Sequence, residues 1–110
     1  MSKRSAILLI QDMLEAIDKI RRYTAGLTTE TFSADEKTVD AVVRNLEIIG
    51  EAASRLPDDF KAQHREVEWS QIVGLRNRIV HDYFGIDLQI VWQVIQRDLP
   101  AFNSELVRIF

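Results

Sequence analysis

The chain has 110 residues, of which 46% are hydrophobic and 28% charged, a balance typical of a folded globular domain. Its formal net charge of −3 argues against a protein that coats nucleic acid through a global basic field, although it leaves room for a local basic site. Without cysteine, the chain offers no disulfide, thiolate metal ligand or thiol nucleophile. No apolar run approaches the roughly 18 residues of a membrane span, and no signal-peptide pattern is visible, so we expect a cytoplasmic protein.

Apolar residues recur at helical spacing through most of the chain, and few glycines or prolines interrupt them. We expect a first helix over about residues 3–26, whose final glycine suits the left-handed conformation that often follows a helix. A threonine-rich connector, residues 27–32, comes next. Ser33 and Glu36 have the spacing of a capping box, so they should open a second long helix that ends before Pro57.

The second half of the chain predicts one short and two long helical segments. Residues 58–67 are polar and should hold a short helical turn. Trp69 should start a third helix that continues to about Gly85. Asp87 should cap a fourth helix, which Pro100 should kink or loosen because proline cannot donate a backbone hydrogen bond.

Four main helices of this length favour an all-α fold, an antiparallel bundle of four to five helices forming a single domain over residues 1–110. An extended coiled coil is excluded because no strict heptad persists for three or four repeats. No internal repeat is visible.

The most informative segment is the run of residues 76–83, Arg-Asn-Arg-Ile-Val-His-Asp-Tyr. If a continuous helix advances about 100° per residue from Ile72, an apolar arc forms that includes Val73 and Val80. Arg76 falls inside this arc. A guanidinium on the core-facing side of a helix is costly unless it is paired or meets a partner or ligand. The placement therefore predicts a functional site.

The chemistry of this segment suits a phosphodiester. His81 has the near-neutral pKa of a general base, the planar fork of Arg76 can grip phosphate oxygens, and Asn77 can donate to a further oxygen. No serine or cysteine nucleophile accompanies them. The plainer interpretation of His81 is an exposed residue without a role. Two isolated histidines and no acidic cluster provide no metal site.

The second helix carries a polar stripe with Glu47 and Glu51. Three interpretations stay open: a solvated face with pairs inside the helix, a polar floor beneath the motif, or a buried ion pair with Arg76. Asn45 and Gly50 lie on the apolar side of the same helix. A buried amide and a missing side chain suggest that another helix, from this chain or a second subunit, approaches closely.

These residues carry a resemblance to a known family. Arg76, followed after four residues by His81 and then by Tyr83, resembles the Arg-x-x-x-x-His-x-Tyr motif of the HepT family, within the HEPN superfamily of small all-α proteins. Further blocks are similar to the family's helices in the same order: residues 44–52, residues 69–77, residues 83–87 and Trp92. The resemblance covers about residues 5–108 and implies a bundle of HEPN type.

The resemblance implies a toxin of a two-gene toxin–antitoxin module, a metal-independent endoribonuclease that works as a homodimer with one composite cleft. The implied partner is an MntA-like nucleotidyltransferase antitoxin, which attaches AMP to the motif tyrosine. Position by position, catalysis falls to Arg76 and His81, support to Asn77 and modification to Tyr83. Because the net charge is acidic, RNA should bind in a local cleft, with Arg78 as a candidate contact. No cofactor is expected.

Two functions stay open at this point. As an endoribonuclease, the chain would use His81 to deprotonate a ribose 2′-hydroxyl while Arg76 stabilises charge on the phosphorane. As a non-catalytic accessory, the helical domain would only bind a nucleotidyltransferase and present Tyr83 or the cleft to it. Growth arrest on expression of the chain alone, lost with His81→Ala, would distinguish the first function from the second.

Overall fold

The computed structural model describes residues 4–80 and 85–110, and every regular element in those two ranges is helical. The elements in chain order are α1 (Ala6–Thr24), α2 (Thr29–Ala34), α3 (Glu36–Arg55), α4 (Asp58–Gln63), α5 (Trp69–Val73), α6 (Leu75–Ile79), α7 (Leu88–Gln93), a π-helical turn (Val94–Asp98) and α8 (Leu99–Val107). The predicted all-α architecture is confirmed. Within the same ranges, no helix is both long and apolar enough to cross a bilayer.

The two long helices α1 and α3 pack against each other and form the centre of the molecule. Helix α8 covers α1, while α5 and α6 pack against α3. Each side chain that is fully removed from water contributes about 1.5–3 kcal/mol of transfer free energy. The largest buried side chains come from all of these elements: Ile10, Met13, Ile20, Phe32, Leu46, Ile49, Ile72, Leu75, Ile79 and Leu106.

The ends of the two long helices follow from local sequence. The Ser5 hydroxyl caps α1 by accepting from the Leu8 N–H at 3.3 Å. Gly26, just beyond α1, has φ of 78°, so its predicted left-handed conformation is confirmed. Helix α3 ends at Arg55, before Pro57 as predicted, because the residue preceding a proline disfavours the α conformation.

The prediction that residues 27–32 form a connector is wrong, because most of these residues belong to α2. The Thr28 hydroxyl accepts from the Thr31 N–H at 3.2 Å, and the Thr31 hydroxyl accepts from the Thr28 N–H at 2.8 Å. This reciprocal capping box satisfies two donors at the helix start. Helix α2 also buries Phe32, whose ring lies 5.2 Å from the Trp92 ring. Helix α2 is therefore stabilised both by its capping box and by the burial of Phe32.

The predicted cap of α3 is also wrong in detail. Ser33 lies inside α2 and not at the start of α3. Asp35 is the N-cap instead, and its carboxylate accepts from the Thr38 N–H at 3.2 Å. Asp and Ser are about equally good N-caps, so the preceding helix decides between them.

The continuous third helix predicted from Trp69 is wrong as well. It breaks at Gly74, with φ −82° and ψ 2°, and α6 ends at Ile79. Val80 is extended and forms an antiparallel bridge with Ile86, while the Asp87 N–H donates to the Ile79 carbonyl at 2.8 Å. Glycine weakens a helix interior by entropy, and β-branched residues favour extended backbone. The motif therefore leaves the helix partway along.

The apolar arc predicted for this segment is too broad. The predicted core-facing position of Arg76 is wrong, because this residue is exposed. Val73 and Val80 are also exposed, at 39% and 36%. The break at Gly74 does not explain this, because Val73 precedes it and is exposed all the same; the buried arc is narrower than predicted. The other apolar residues of the arc within the described part of the chain are buried: Ile72, Leu75 and Ile79.

The last helical segment is capped as predicted and loosened before Pro100. The Asp87 carboxylate accepts from the N–H groups of Gln89 and Ile90, both at 3.1 Å. The π-helical turn then precedes α8, and the Leu99 N–H reaches back five residues to the Val94 carbonyl. Proline lacks an N–H, and its ring collides with the carbonyl four residues earlier in a regular α-helix. The wider turn relieves that collision.

Candidate functional site

A groove of about 450 Å³ lies between α3 and the pair α5–α6; we call it the α3–α6 groove. It is lined by Arg44, Glu47, Ile48, Gly50, Glu51, Ser54, Val73 and Arg76. The structure therefore brings Arg76 together with Glu47 and Glu51, the two residues of the predicted polar floor. Sequence reasoning did not single out Ser54 as a lining residue.

The floor of the groove is shaped by Gly50, where α5 approaches α3 closely. A Cβ atom at this position would lie 3.4 Å from the Ile72 carbonyl oxygen and 3.6 Å from that of Val73. The predicted close approach is thus confirmed, and the approaching helix belongs to the same chain. Asn45 is 7% exposed, and its Nδ2 donates to the Ala41 carbonyl at 2.8 Å, so α3 itself provides a partner for the buried amide.

The charges of the groove are mixed in sign. Glu51 pairs with Arg55 at 3.0 Å, one helical turn away, as the intrahelical alternative predicts. Within residues 4–80 and 85–110, Arg76 has no ion-pair partner, so the buried pair with Glu47 or Glu51 is not formed. An exposed guanidinium in an open groove can donate hydrogen bonds to an incoming anion.

Arg78 faces a different part of the surface from Arg76. Its guanidinium pairs with the Asp98 carboxylate, which lies at the end of the π-helical turn. A second groove of about 430 Å³ is lined by Ser70, Gln71, Gly74, Arg78 and Asp98. Residues two positions apart on a helix point about 200° apart, which explains the separation of the two arginines. Asn77 lies between them on α6 and is exposed.

The predictions for His81 and Tyr83 lie outside the described residues. The structure does define the chain on both sides of them: Val80 pairs with Ile86, and Gly85 has a φ of 84°. Arg76 thus lies on the helix that leads directly into the remainder of the motif.

Among the described residues, no group of three or more His, Asp or Glu side chains is arranged to hold a metal ion. Asp98 was missed by sequence reasoning, because it pairs with Arg78 across 20 positions and no local pattern marks such a contact.

Comparison with known proteins places the chain in a family of enzymes. A family profile described as Ribonuclease HepT-like matches residues 13–109. The chain therefore belongs to the ribonuclease HepT-like family, and the resemblance noted from the motif is confirmed.

Individual relatives show similarity along nearly the whole chain. A protein of Thermococcus cleftensis named "Probable ribonuclease HepT" is 37% identical over 107 residues, covering 97% of each chain. A Methanocaldococcus jannaschii protein whose name marks it as an inferred RNase is 36% identical over 109 residues, 99% of this chain and 90% of the relative. A longer protein of that organism, named as a gamma-glutamylcyclotransferase and inferred RNase, is 32% identical over 107 residues, which are 97% of this chain and 48% of that protein. No solved structure matches the chain.

Proposed function

We propose that this chain is the toxin of a toxin–antitoxin module and acts as a metal-independent endoribonuclease. The observation that carries the proposal is the ribonuclease family match over residues 13–109, a range that contains the complete Arg-x-x-x-x-His-x-Tyr motif. The exposed position of Arg76 on the α3–α6 groove supports it, because a phosphate can reach this guanidinium from solvent.

In the proposed reaction, His81 removes the proton of a ribose 2′-hydroxyl. The 2′-oxygen attacks the adjacent phosphorus, the bond from phosphorus to the 5′-oxygen breaks, and the imidazolium returns a proton to that leaving oxygen. Arg76 stabilises the charge that develops on the non-bridging oxygens, and Asn77 donates a further hydrogen bond. The products are a 2′,3′-cyclic phosphate and a 5′-hydroxyl. The nucleophile comes from the substrate, so the step needs no metal-bound hydroxide.

Glu47 and Glu51 have a supporting role in this proposal. Both line the groove beside Arg76, and carboxylates repel phosphates. We assign them the role of a polar floor that leaves the Arg76 end as the favourable position for a phosphate. The mixed charge agrees with a chain whose net charge is acidic but whose substrate is an anion.

The proposed assembly is a homodimer with one composite cleft, in which both chains contribute Arg76 and His81. Val73 and Val80, exposed on either side of α6, support an interface at this surface. The proposed partner is an MntA-like nucleotidyltransferase antitoxin that transfers AMP to the Tyr83 hydroxyl. The added bulk and negative charge would block the entry of RNA phosphates without unfolding the bundle.

The cleavage proposal is tested on purified protein with a single-stranded RNA, in buffer with and without EDTA, with product ends identified by mass spectrometry. We expect 2′,3′-cyclic phosphate ends, activity that survives EDTA, and loss of activity in His81→Ala. The matched control is His64→Ala, which removes the chain's other histidine and should keep full activity. Products with 3′-hydroxyl ends, or activity abolished by EDTA, would defeat the mechanism; no cleavage by any protein would favour the accessory function.

The antitoxin proposal is tested by co-expression of this chain with an MntA-like nucleotidyltransferase. We expect mass spectrometry to find one AMP adduct on Tyr83, and Tyr83→Phe to remain toxic in the presence of the antitoxin. The control is Tyr23→Phe, which removes the chain's other phenol and should still be neutralised. An adduct on another residue, or full protection of cells expressing Tyr83→Phe, would contradict the proposal.

A further inference from the structure

The Arg78–Asp98 ion pair differs in kind from the others formed by the described residues. Three of those pairs join residues one helical turn apart: Lys19–Glu15, Arg22–Asp18 and Arg55–Glu51. Two more are also local in sequence: Arg4–Asp12 and His64–Glu66. Only Arg78–Asp98 connects one helical element to another, from α6 to the π-helical turn. It therefore constrains tertiary structure in the part of the chain that the structure describes.

Helix α6 needs such a constraint because it has only five residues and no side-chain cap at Gly74. Isolated helices shorter than about 12 residues are marginal in water, so contacts with the rest of the protein decide where α6 points. One side of α6 is anchored by the buried side chains of Leu75 and Ile79. The Arg78–Asp98 pair holds another side. The Asp98 side chain is 20% exposed and that of Arg78 is 41% exposed, so water shields the pair only in part from its surroundings and its contribution is mainly to orientation.

Two backbone contacts hold α6 at the start of the last helical segment, and one side-chain contact reaches the end of the π-helical turn. The Asp87 N–H donates to the Ile79 carbonyl, Val80 bridges to Ile86, and Arg78 pairs with Asp98. The first two involve the backbone and hold the chain only at its exit from α6. The ion pair alone is formed by a side chain within α6. Together with the buried side chains of Leu75 and Ile79, it therefore restrains the rotation of α6 about its axis.

We infer that Asp98 is a positioning residue for the proposed RNA cleavage, acting through Arg78 to aim Arg76. Residues 76 and 78 point about 200° apart around a helix, so fixing Arg78 on one side directs Arg76 towards the α3–α6 groove on the other. Arg78 then serves as the partner of Asp98, and RNA phosphates are not its main ligand. The inference rests on the proposed function for its kinetic readout, but its geometry can be tested without activity.

The kinetic test compares Asp98→Asn, Arg78→Gln and the charge-swapped double variant Arg78→Asp/Asp98→Arg. Small misplacements of a catalytic group can cost up to about a hundredfold in rate, so we expect either single variant to lower kcat about ten- to a hundredfold while KM changes less than twofold. The charge swap should recover most of the loss. The control is Asp18→Asn, which breaks the Arg22–Asp18 pair on α1 and should leave kcat and KM unchanged.

A direct contact between Arg78 and RNA would give a different pattern. Asp98→Asn would then release Arg78 for RNA, leaving kcat unchanged and lowering KM. The charge swap, which places a carboxylate at position 78, would raise KM and restore nothing. Either result would overturn the positioning role.

A measurement independent of catalysis separates this inference from the proposed function. The Arg76 Nε–Hε resonance is followed by NMR in the wild-type protein and in each folded variant. We expect Asp98→Asn and Arg78→Gln to shift this resonance, the charge swap to move it back, and Asp18→Asn to leave it in place. A wild-type protein that cleaves no RNA but shows these shifts would refute the proposed function alone. An Arg76 resonance unmoved in both single variants would refute the positioning role, whether or not RNA is cleaved.

Discussion

Arg76 is a charged residue that the described part of the protein does not hold in place by an ion pair. It is exposed in the α3–α6 groove and, in the two described ranges, makes no ion pair. Its guanidinium can therefore be offered to a ligand without first breaking an internal contact with those residues. Because the side chain contributes little to the core, its role in function and its role in stability should be separable.

Replacing Arg76 tests that separation. Removing a donor to a developing oxyanion typically lowers kcat about 10²–10³-fold, so we expect a loss of this size in RNA cleavage by Arg76→Ala. The free energy of unfolding should change by less than about 0.5 kcal/mol, as for other exposed substitutions. Arg76→Lys keeps the charge but lacks the planar guanidinium, so its kcat should lie between those of the wild type and Arg76→Ala. Cleavage assays and urea unfolding check both effects, and marked destabilisation by Arg76→Ala would contradict the exposed placement.

Asp35 is a second residue whose surroundings predict a measurable effect. The Thr38 hydroxyl donates to its carboxylate at 2.8 Å and the Thr38 N–H at 3.2 Å, and both lower the pKa of Asp35 below its ordinary value. Its contribution to stability is therefore fully present above the unfolded pKa of about 3.9 and is lost as the pH falls through the lower folded pKa.

The part of the acid dependence of unfolding that comes from the Asp35 cap can be measured by substitution. Asn is as good an N-cap as Asp but does not titrate, so Asp35→Asn should fold normally at neutral pH and lose less stability on acidification than the wild type. Thermal melts in steps from neutral to strongly acidic pH measure the difference. Asp40→Asn, on the exposed surface of α3, is the control and should keep the wild-type acid dependence. Identical acid profiles for Asp35→Asn and the wild type would refute the assignment.

For the site residues, the sequence predicted the motif but not the burial or the long-range partners of its members. The spacing of Arg76, His81 and Tyr83 was sufficient to indicate the family, because the motif itself is a sequence property. The burial of Arg76 was predicted wrongly, because periodicity does not show how wide the buried arc is: Ile72, Leu75 and Ile79 are buried, whereas the side that carries Arg76 is exposed. The partner of Arg78 could not be predicted, because it depends on the distant position of Asp98.

At the scale of the elements, the contact between α3 and α5 determines the depth of the groove. The Gly50 site leaves room for one methyl group against the Ile72 carbonyl, at 3.4 Å, but for nothing larger. Gly26 presents the opposite case, with open space around it and a φ of 78° that side chains disfavour. Substitution is therefore limited by the space beside α5 at Gly50 and by the backbone conformation at Gly26.

Substitutions at the two glycines should have opposite effects. Gly50→Ala should stabilise the protein by up to about 1 kcal/mol, since alanine is the better helix former and its methyl group fits. Gly26→Ala should cost about 1–2 kcal/mol, the penalty of a left-handed conformation for an L-residue. Gly50→Leu should also destabilise, by about 1–3 kcal/mol, because it pushes α5 away from α3. Urea unfolding measures all three, and a destabilising Gly50→Ala would show that the helices pack more tightly than described.

The ends of the elements were predictable only where local chemistry sets them. The Asp87 cap, the stop before Pro57 and the turn at Gly26 all depend on neighbouring residues, and each is confirmed. The end of α6 was not predictable, because it depends on the bridge from Val80 to Ile86 and not on a helix-stopping residue. Likewise, α2 forms partly because Phe32 is buried against another helix.

At the scale of the whole molecule, two exposed valines near α6 support a dimer interface. Val73 is exposed on α5 and lines the groove that a composite cleft would share, and Val80 is exposed just after α6. A dimer that uses this surface would remove both side chains from water. A charge placed there should oppose association without disturbing the core of either chain.

Sedimentation tests this surface. We expect the wild type to be dimeric at micromolar concentration and Val73→Glu to be monomeric with an unchanged helical circular dichroism spectrum. Val107→Glu, at a 51% exposed position on α8, is the matched control and should remain dimeric. A monomeric wild type would refute the composite cleft, and a dimeric Val73→Glu would place the interface elsewhere.

The π-helical turn and Pro100 depend on each other. A π turn in an otherwise continuous helix holds one residue more than the α-helical turn it replaces, as an insertion of one residue would leave it. Pro100 follows within two residues of its end, and the wider turn accommodates its ring. The length of the chain and the identity of residue 100 should therefore have changed together.

This dependence can be reproduced in the laboratory. Deleting the exposed Gln96 alone should restore a regular helix that Pro100 cannot join, at a cost of about 3 kcal/mol. Deleting Gln96 together with Pro100→Ala should recover most of that loss, as thermal melts of the two variants would show. A deletion as well tolerated with Pro100 as with alanine would show that the π-helical turn does not serve to accommodate the proline. Where relatives lack this proline, we expect many to be one residue shorter across the same turn.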